Sequence, residues 1–148
     1  MIKYNAAVIG LGQIGLGYDY QIKKNNSAVT HSSAFNSHPS YELVGGVDID
    51  KKKRILFEKK YKKNAYSSIE ELMEQGDLDI LAICVPTEHH YDAFMESVNY
   101  NIKIILCEKP FSSNLNSAKK MIKIANKNKT TVIVNYIRRF NEATIKLK

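Results

Sequence analysis

The chain has 148 residues, the length of one compact domain with a real core rather than of several. Its net charge of +7 does not make nucleic acid an expected partner, because the basic residues concentrate on two predicted helices, 51–63 and 119–129, as solvated faces. No run approaches the ~20 apolar residues that cross a bilayer, and Met1 leads straight into a strand, so neither a membrane partner nor a signal peptide is expected.

Asn5 to Ile9 is short, apolar and bounded by glycine, the pattern of a strand buried on both faces. Gly10, Gly12 and Gly15 follow in Gly-x-Gly-x-x-Gly spacing. The first permits the tight turn out of the strand. The second lets a pyrophosphate approach the backbone, and the third allows close contact with the next segment. Together with Gln13 and Ile14 they form a candidate dinucleotide phosphate turn, backed by the positive end of a following helix. The other reading of such glycines is a turn that is only structural.

Leu16 to Thr30 is an insertion, with a polar Lys23-Lys24-Asn25-Asn26-Ser27 run. It reads as a surface loop, or as a lid or substrate-side loop because it leaves from the phosphate turn. Thr30 is expected to cap a helix from His31 to about Ser37, with Ala34 and Phe35 toward the sheet and His31 and His38 on the surface.

Tyr41 to Val47 is the second strand, and Asp48 follows it. A carboxylate there accepts hydrogen bonds from the adenosine ribose hydroxyls and repels a 2′-phosphate, so NAD is expected over NADP. Asp48 lies further along than the ~20 residues usual for this acid, and the insertion accounts for the excess.

Lys51 to Tyr61 reads as a helix with Ile55, Leu56 and Phe57 inward. Ala65-Tyr66 is a short third strand. Ser67 or Ser68 caps a helix bearing Ile69, Leu72 and Met73, which Gly76 stops. Asp79 to Val85 is apolar almost throughout, so it should be a central, parallel fourth strand ended by Pro86. Thr87 opens a helix to about Tyr100, with Ala93, Phe94 and Val98 inward. Lys103 to Cys107 is the fifth strand. Asn114 caps a helix to about Lys127 with Leu115, Ala118, Met121, Ile122 and Ala125 on one stripe, Thr130 to Val134 is the sixth strand, and Asn135 to Lys148 is a tail. Cys84 and Cys107 fall in strand patterns without metal-ligand spacing; they read as buried free thiols in a reduced cytoplasm, with no metal expected.

Alternating strands and helices imply an α/β Rossmann fold: one doubly wound parallel sheet of about six strands in the order 3-2-1-4-5-6, with right-handed crossovers. Ligands of such sheets bind beyond the carboxyl ends of the strands, at the switch between strands one and four. The glycine turn, Asp48, Pro86-Thr87, Glu108-Lys109 and Asn135 all fall at those ends.

Four stretches resemble the N-terminal domain of the glucose–fructose oxidoreductase, inositol dehydrogenase and rhizopine-catabolism (Gfo/Idh/MocA) family. They are Val8 to Gly15, Leu43 to Asp48, Ile83 to His90, and Ile105 to Phe111, in which Glu108-Lys109-Pro110 is the most specific motif. The resemblance implies hydride transfer between NAD(P) and a sugar, cyclitol or related polyol. It implies that Lys109 is the catalytic or substrate-positioning lysine, that Glu108 lies near the nicotinamide ribose, and that Pro110 shapes its turn, often through a cis bond. Pro86 and His90 match the family's Thr-Pro-Asn-x-x-His motif as cofactor-side residues, while Thr87 stands where asparagine is usual. Without the resemblance, Lys109 is also readable as a surface lysine in a turn.

The family's enzymes carry a second, C-terminal α/β domain with most of the substrate pocket and the oligomer interface. A chain of 148 residues leaves no room for it, so residues 1–148 are expected to be the cofactor-binding domain of a longer, homo-oligomeric cytoplasmic enzyme, inactive alone. The alternative is a stand-alone NAD-binding module or sensor without catalysis of its own.

Overall fold

The computed structural model describes residues 3–22 and 28–147, with the side chain of Phe140 outside the description. The middle of the expected insertion, residues 23–27, therefore lies outside the described residues.

Six strands form one sheet: β1 (Tyr4–Ile9), β2 (Tyr41–Val47), β3 (Ala65–Tyr66), β4 (Ile80–Ile83), β5 (Ile104–Cys107) and β6 (Thr131–Val134). All pairings are parallel, in the order β3-β2-β1-β4-β5-β6, as expected for the doubly wound fold. The chain starts at β1, winds outward to β3, then crosses back over β1 to β4. That reversal opens a crevice above the carboxyl ends of β1 and β4.

The two-residue period of a strand divides the core. On β1, Ala6 and Val8 join a cluster with Leu11, Leu16, Phe35, Leu43, Phe57 and Tyr61. Ala7 and Ile9 join one with Ile69, Leu72, Leu81, Ile83, Phe94, Ile105 and Met121. The first face is covered by α1 (His31–Ser37) and α2 (Lys51–Tyr61), the second by α3 (Ile69–Met73), α4 (His90–Ser97) and α5 (Leu115–Asn128). Caps define the helix starts: Thr30, Asp50, Ser68 and Asn114 each accept a first-turn N–H through the side chain.

Several expectations are corrected. Ile55 and Leu56 are half exposed, while Phe57 and Tyr61 face the sheet. At ~100° per residue, a stripe aligned on Phe57 and Tyr61 turns Ile55 and Leu56 away. In α5 the stripe runs through Met121 and Ala125, and Leu115 and Ile122 are exposed. The expected helix from Thr87 to Tyr100 is α4 flanked by two 3₁₀ turns, Thr87–His89 and Val98–Tyr100. The glycine turn runs into a five-residue π turn, Gln13–Gly17, and the first α-helix waits until His31. The tail holds a 3₁₀ turn (Ile137–Phe140) and a short α6 (Glu142–Lys146).

The described ends of the insertion are tied down. Asp19 is buried and accepts hydrogen bonds from the Val29 and Thr30 N–H groups (both 3.1 Å) and from the Thr30 hydroxyl (2.9 Å). Lys60 reaches it from α2, at 3.2 Å to Oδ1 and 2.6 Å to its backbone oxygen. Thr30, held this way, caps α1 and fixes where His31 begins it.

Candidate active site

The glycine turn is built by close contact. Gly10 has φ +89, and a Cβ there would lie 2.6 Å from the backbone of Cys84 and Val85, so only glycine fits between β1 and β4. A Cβ at Gly15 would lie 2.0 Å from the Gly10 carbonyl oxygen. At Gly12 a Cβ would meet nothing within 4 Å, so this glycine borders open space. The turn closes when the Gly12 carbonyl accepts the Leu16 and Gly17 N–H groups (both 2.9 Å).

Asp48, at the end of β2, is buried against this turn. Its Oδ2 accepts the Leu11 N–H (2.8 Å) and lies 3.4 Å from Lys53 Nζ, and its Oδ1 accepts the Asp50 N–H (2.9 Å). Arg54 donates to the Asp48 and Ile49 carbonyls.

Across the crevice, β5 delivers Glu108, Lys109 and Pro110, joined by a cis Lys109–Pro110 peptide. Glu108 is 9% exposed, yet it is fully engaged on one side. Its Oε1 accepts from Asn135 Nδ2 (2.6 Å) and from His31 Nε2 (2.7 Å), and its Oε2 accepts the Lys109 N–H (3.3 Å). Burial alone would raise the carboxyl's pKa. The hydrogen bonds from His31 and Asn135, with the charge of His31 and the Lys109 amide, overcome it and hold Glu108 below the ordinary glutamate value. Burial and the nearby Glu108 charge push the Cys107 thiol up to about 12.

His90 opens α4 and is 1% exposed. Its Nε2 lies 2.9 Å from the Val85 carbonyl, which can only accept, so Nε2 carries the proton. Nδ1 lies 3.4 Å from the Phe111 carbonyl and 3.6 Å from the Cys107 sulfur. The ring thus ties the turn after β4 to the turn after β5.

Gly10, Gly12, Gln13, Ile14, Asp48, Pro86, Thr87, His90, Glu108 and Lys109 line a single cleft of about 860 Å³. Of the residues singled out from sequence, Gly15, Pro110 and Asn135 are not among its walls; Gly15 packs beneath the turn. The volume lies within the ~300–1,000 Å³ of small-molecule sites. The open space over Gly12 and the acid at the end of β2 suit a dinucleotide.

The family model for Gfo/Idh/MocA, described as "Oxidoreductase family, NAD-binding Rossmann fold", matches residues 4–136. The chain belongs to the Gfo/Idh/MocA oxidoreductase family. Its cofactor is accordingly NAD. The myo-inositol 2-dehydrogenase of Thermotoga maritima is 28% identical over 141 residues, 95% of this chain and 38% of that protein. A crystal structure of the WlbA dehydrogenase from Bordetella pertussis, in complex with NADH and UDP-GlcNAcA, superposes with TM-score 0.81 at 22% identity, over 99% of this chain and 38% of that one. The myo-inositol 2-dehydrogenase of Lactobacillus plantarum superposes with TM-score 0.79 at 18% identity, over 98% of this chain and 40% of that one. The chain therefore spans about two fifths of the length of these relatives. Among the described residues no helix is long and apolar enough to cross a membrane.

In this Gfo/Idh/MocA domain, sequence reasoning missed His31. It was expected on the helix surface; it is 9% exposed and bonded to Glu108. A topological signal was available. The first residue of a helix entering from a parallel sheet lies at the sheet's carboxyl end, where Glu108 also lies. Asn135 stood at that end in sequence, but nothing there showed that it would bond Glu108.

The acid response of stability follows from the carboxylates. Burial pushes Asp19 upward, but its bonds to Val29, Thr30 and Lys60 leave it lowered, like Glu108. A carboxylate with a depressed folded value contributes stability above its unfolded value and loses it as pH falls through the folded one. The melting temperature should therefore drop as pH falls below the ordinary carboxylate range. Glu108→Gln, which removes one titrating group, should flatten part of that drop in melts run from neutral into acid pH.

Proposed function

We propose that this chain is the cofactor-binding part of a dehydrogenase that moves hydride between NAD(P) and the CH–OH group of a sugar, cyclitol or related polyol. The observation carrying this reading is that Lys109 shares one cleft with Gly12, Asp48 and Glu108. The names of the relatives support the substrate class: one acts on myo-inositol, and the WlbA structure holds a sugar nucleotide beside NADH.

When bound, NAD supplies the hydride acceptor. Gly12, with the first-turn N–H groups of Gln13 and Ile14, takes the pyrophosphate where no side chain intervenes. Gly10 and Gly15 hold that turn against β4. Asp48 has acceptor capacity left on Oδ1 for the adenosine ribose hydroxyls. Pro86 and Thr87 wall the cleft on the β4 side, and His90 braces this wall from behind. Glu108 keeps acceptor capacity on Oε2 toward the nicotinamide ribose. Lys109, exposed at the cleft's rim, takes the hydroxyl proton as the neutral amine when the alcohol is oxidised, and as the ammonium returns it in the reverse direction. The free thiols of Cys84 and Cys107 accord with a cytoplasmic enzyme.

NAD⁺ reduction by the chain with the substrate domain of a Gfo/Idh/MocA relative supplied, measured against cyclitols, hexoses and sugar acids with Lys109→Met alongside, tests the reading. The expected result is turnover that Lys109→Met lowers by at least about 100-fold, within the ~10²–10⁴ of a proton-transfer group, with NADH affinity unchanged. Turnover that survives the substitution removes the lysine from the chemistry. NADH binding with no turnover on any polyol even with that domain supplied favours the stand-alone binding module.

A further inference from the structure

We propose that His31 is a positioning residue for Glu108, brought from α1 to fix the orientation of its carboxylate so that one oxygen stays free toward the cofactor cleft. The inference rests on the reading that Glu108 contacts the cofactor.

His31 is the first residue of α1, 77 positions before Glu108. Its location is set independently of Glu108. Thr30 is locked by Asp19, Asp19 is held in turn by Lys60 of α2, and the imidazole lies 6.5 Å from the Phe35 ring. From this fixed base Nε2 lies 2.7 Å from Glu108 Oε1. Asn135, arriving from the end of β6, reaches the same oxygen at 2.6 Å. Two donors on Oε1 leave it little to offer a ligand. Among the described residues Oε2 accepts only the Lys109 N–H, at a long 3.3 Å, so it is the oxygen with capacity to spare in the cleft. A carboxylate without His31 would keep one firm side-chain partner and could rotate about its last torsion, which is intrinsically broad. His31 thus selects the rotamer, and it does so from the segment that follows the insertion.

The test is a double-mutant cycle read by NADH calorimetry, with thermal melts run in parallel. Glu108→Gln and His31→Leu should each weaken NADH about tenfold, the loss of one charge-assisted hydrogen bond, and the double variant should be no weaker than either alone. His31→Gln, which keeps a donor near the imidazole Nε2, should restore affinity to within about threefold of the unaltered protein. Nitrogen-detected NMR of the unaltered protein should show His31 protonated at Nε2, with a resonance that moves in Glu108→Gln. If Glu108→Gln leaves NADH binding unchanged, the reading of Glu108 fails and the inference goes with it. If Glu108→Gln weakens binding and His31→Leu does not, only the positioning role falls. His31→Leu that costs as much in the Glu108→Gln background acts by another route and also overturns it. Should His31→Leu fail to fold, an Nε2 found unprotonated, or a His31→Gln that binds no better than Glu108→Gln, overturns the inference in its place.

Discussion

Gly12→Ala is expected to fold and melt like the unaltered chain and to lose about 100-fold in NADH affinity. The added Cβ meets no protein atom within 4 Å, and Gly12 has an ordinary φ of −78, so the fold has no reason to object. The methyl group instead occupies the space over the turn that the proposed function gives to the pyrophosphate. Forcing a group into occupied space costs up to ~3 kcal/mol, or about 100-fold. Gly15→Ala supplies the contrast. Its Cβ would lie 2.0 Å from the Gly10 carbonyl oxygen, a backbone atom that cannot swing aside. That substitution should cost at least ~3 kcal/mol of stability, a large share of the ~5–15 kcal/mol a domain possesses. Melting curves and NADH calorimetry on the two variants separate the roles. If Gly12→Ala binds NADH normally, the cofactor does not pass over this turn.

Asp48→Ala is expected to reverse the preference between cofactors. NADH should weaken about tenfold through loss of charge-assisted hydrogen bonds to the ribose. NADPH should gain, because the anion that repels a 2′-phosphate is gone and Lys53, now 3.4 Å from Asp48 Oδ2, loses its partner and becomes available to the phosphate. Together these should move the NADH-to-NADPH affinity ratio by about 100-fold, measurable by calorimetry with each cofactor. An unchanged ratio would mean that Asp48 serves only to hold Leu11 and the turn.

Much of the fold and cleft was readable from local pattern. Each glycine of the turn answers a local demand, the apolar run in β4 marks a central parallel strand, and the strand–helix rhythm gives the sheet order. What escaped reading depends on partners distant in sequence. His31 looks like a surface residue to helix periodicity, and its burial comes from Glu108 and the Asp19 clamp. Ile55 and Leu56 are as apolar as Phe57, and only the placement of α2 on the sheet decides which of the three faces in. The π turn at Gln13–Gly17 follows from the double use of the Gly12 carbonyl, which no residue-type signal announces.

The closed base at Asp19 bears on how the sequence can change over evolutionary time. Its carboxylate takes the N–H groups of Val29 and Thr30, so the chain leaving Asp19 and the chain returning at Val29 are joined through backbone amides. With its ends pinned, such a stretch is charged for length mainly in closure entropy, about 0.6 kcal/mol for each doubling. A change of length between Asp19 and Val29 that leaves the two joined should thus keep the start of α1 in register with the glycine turn.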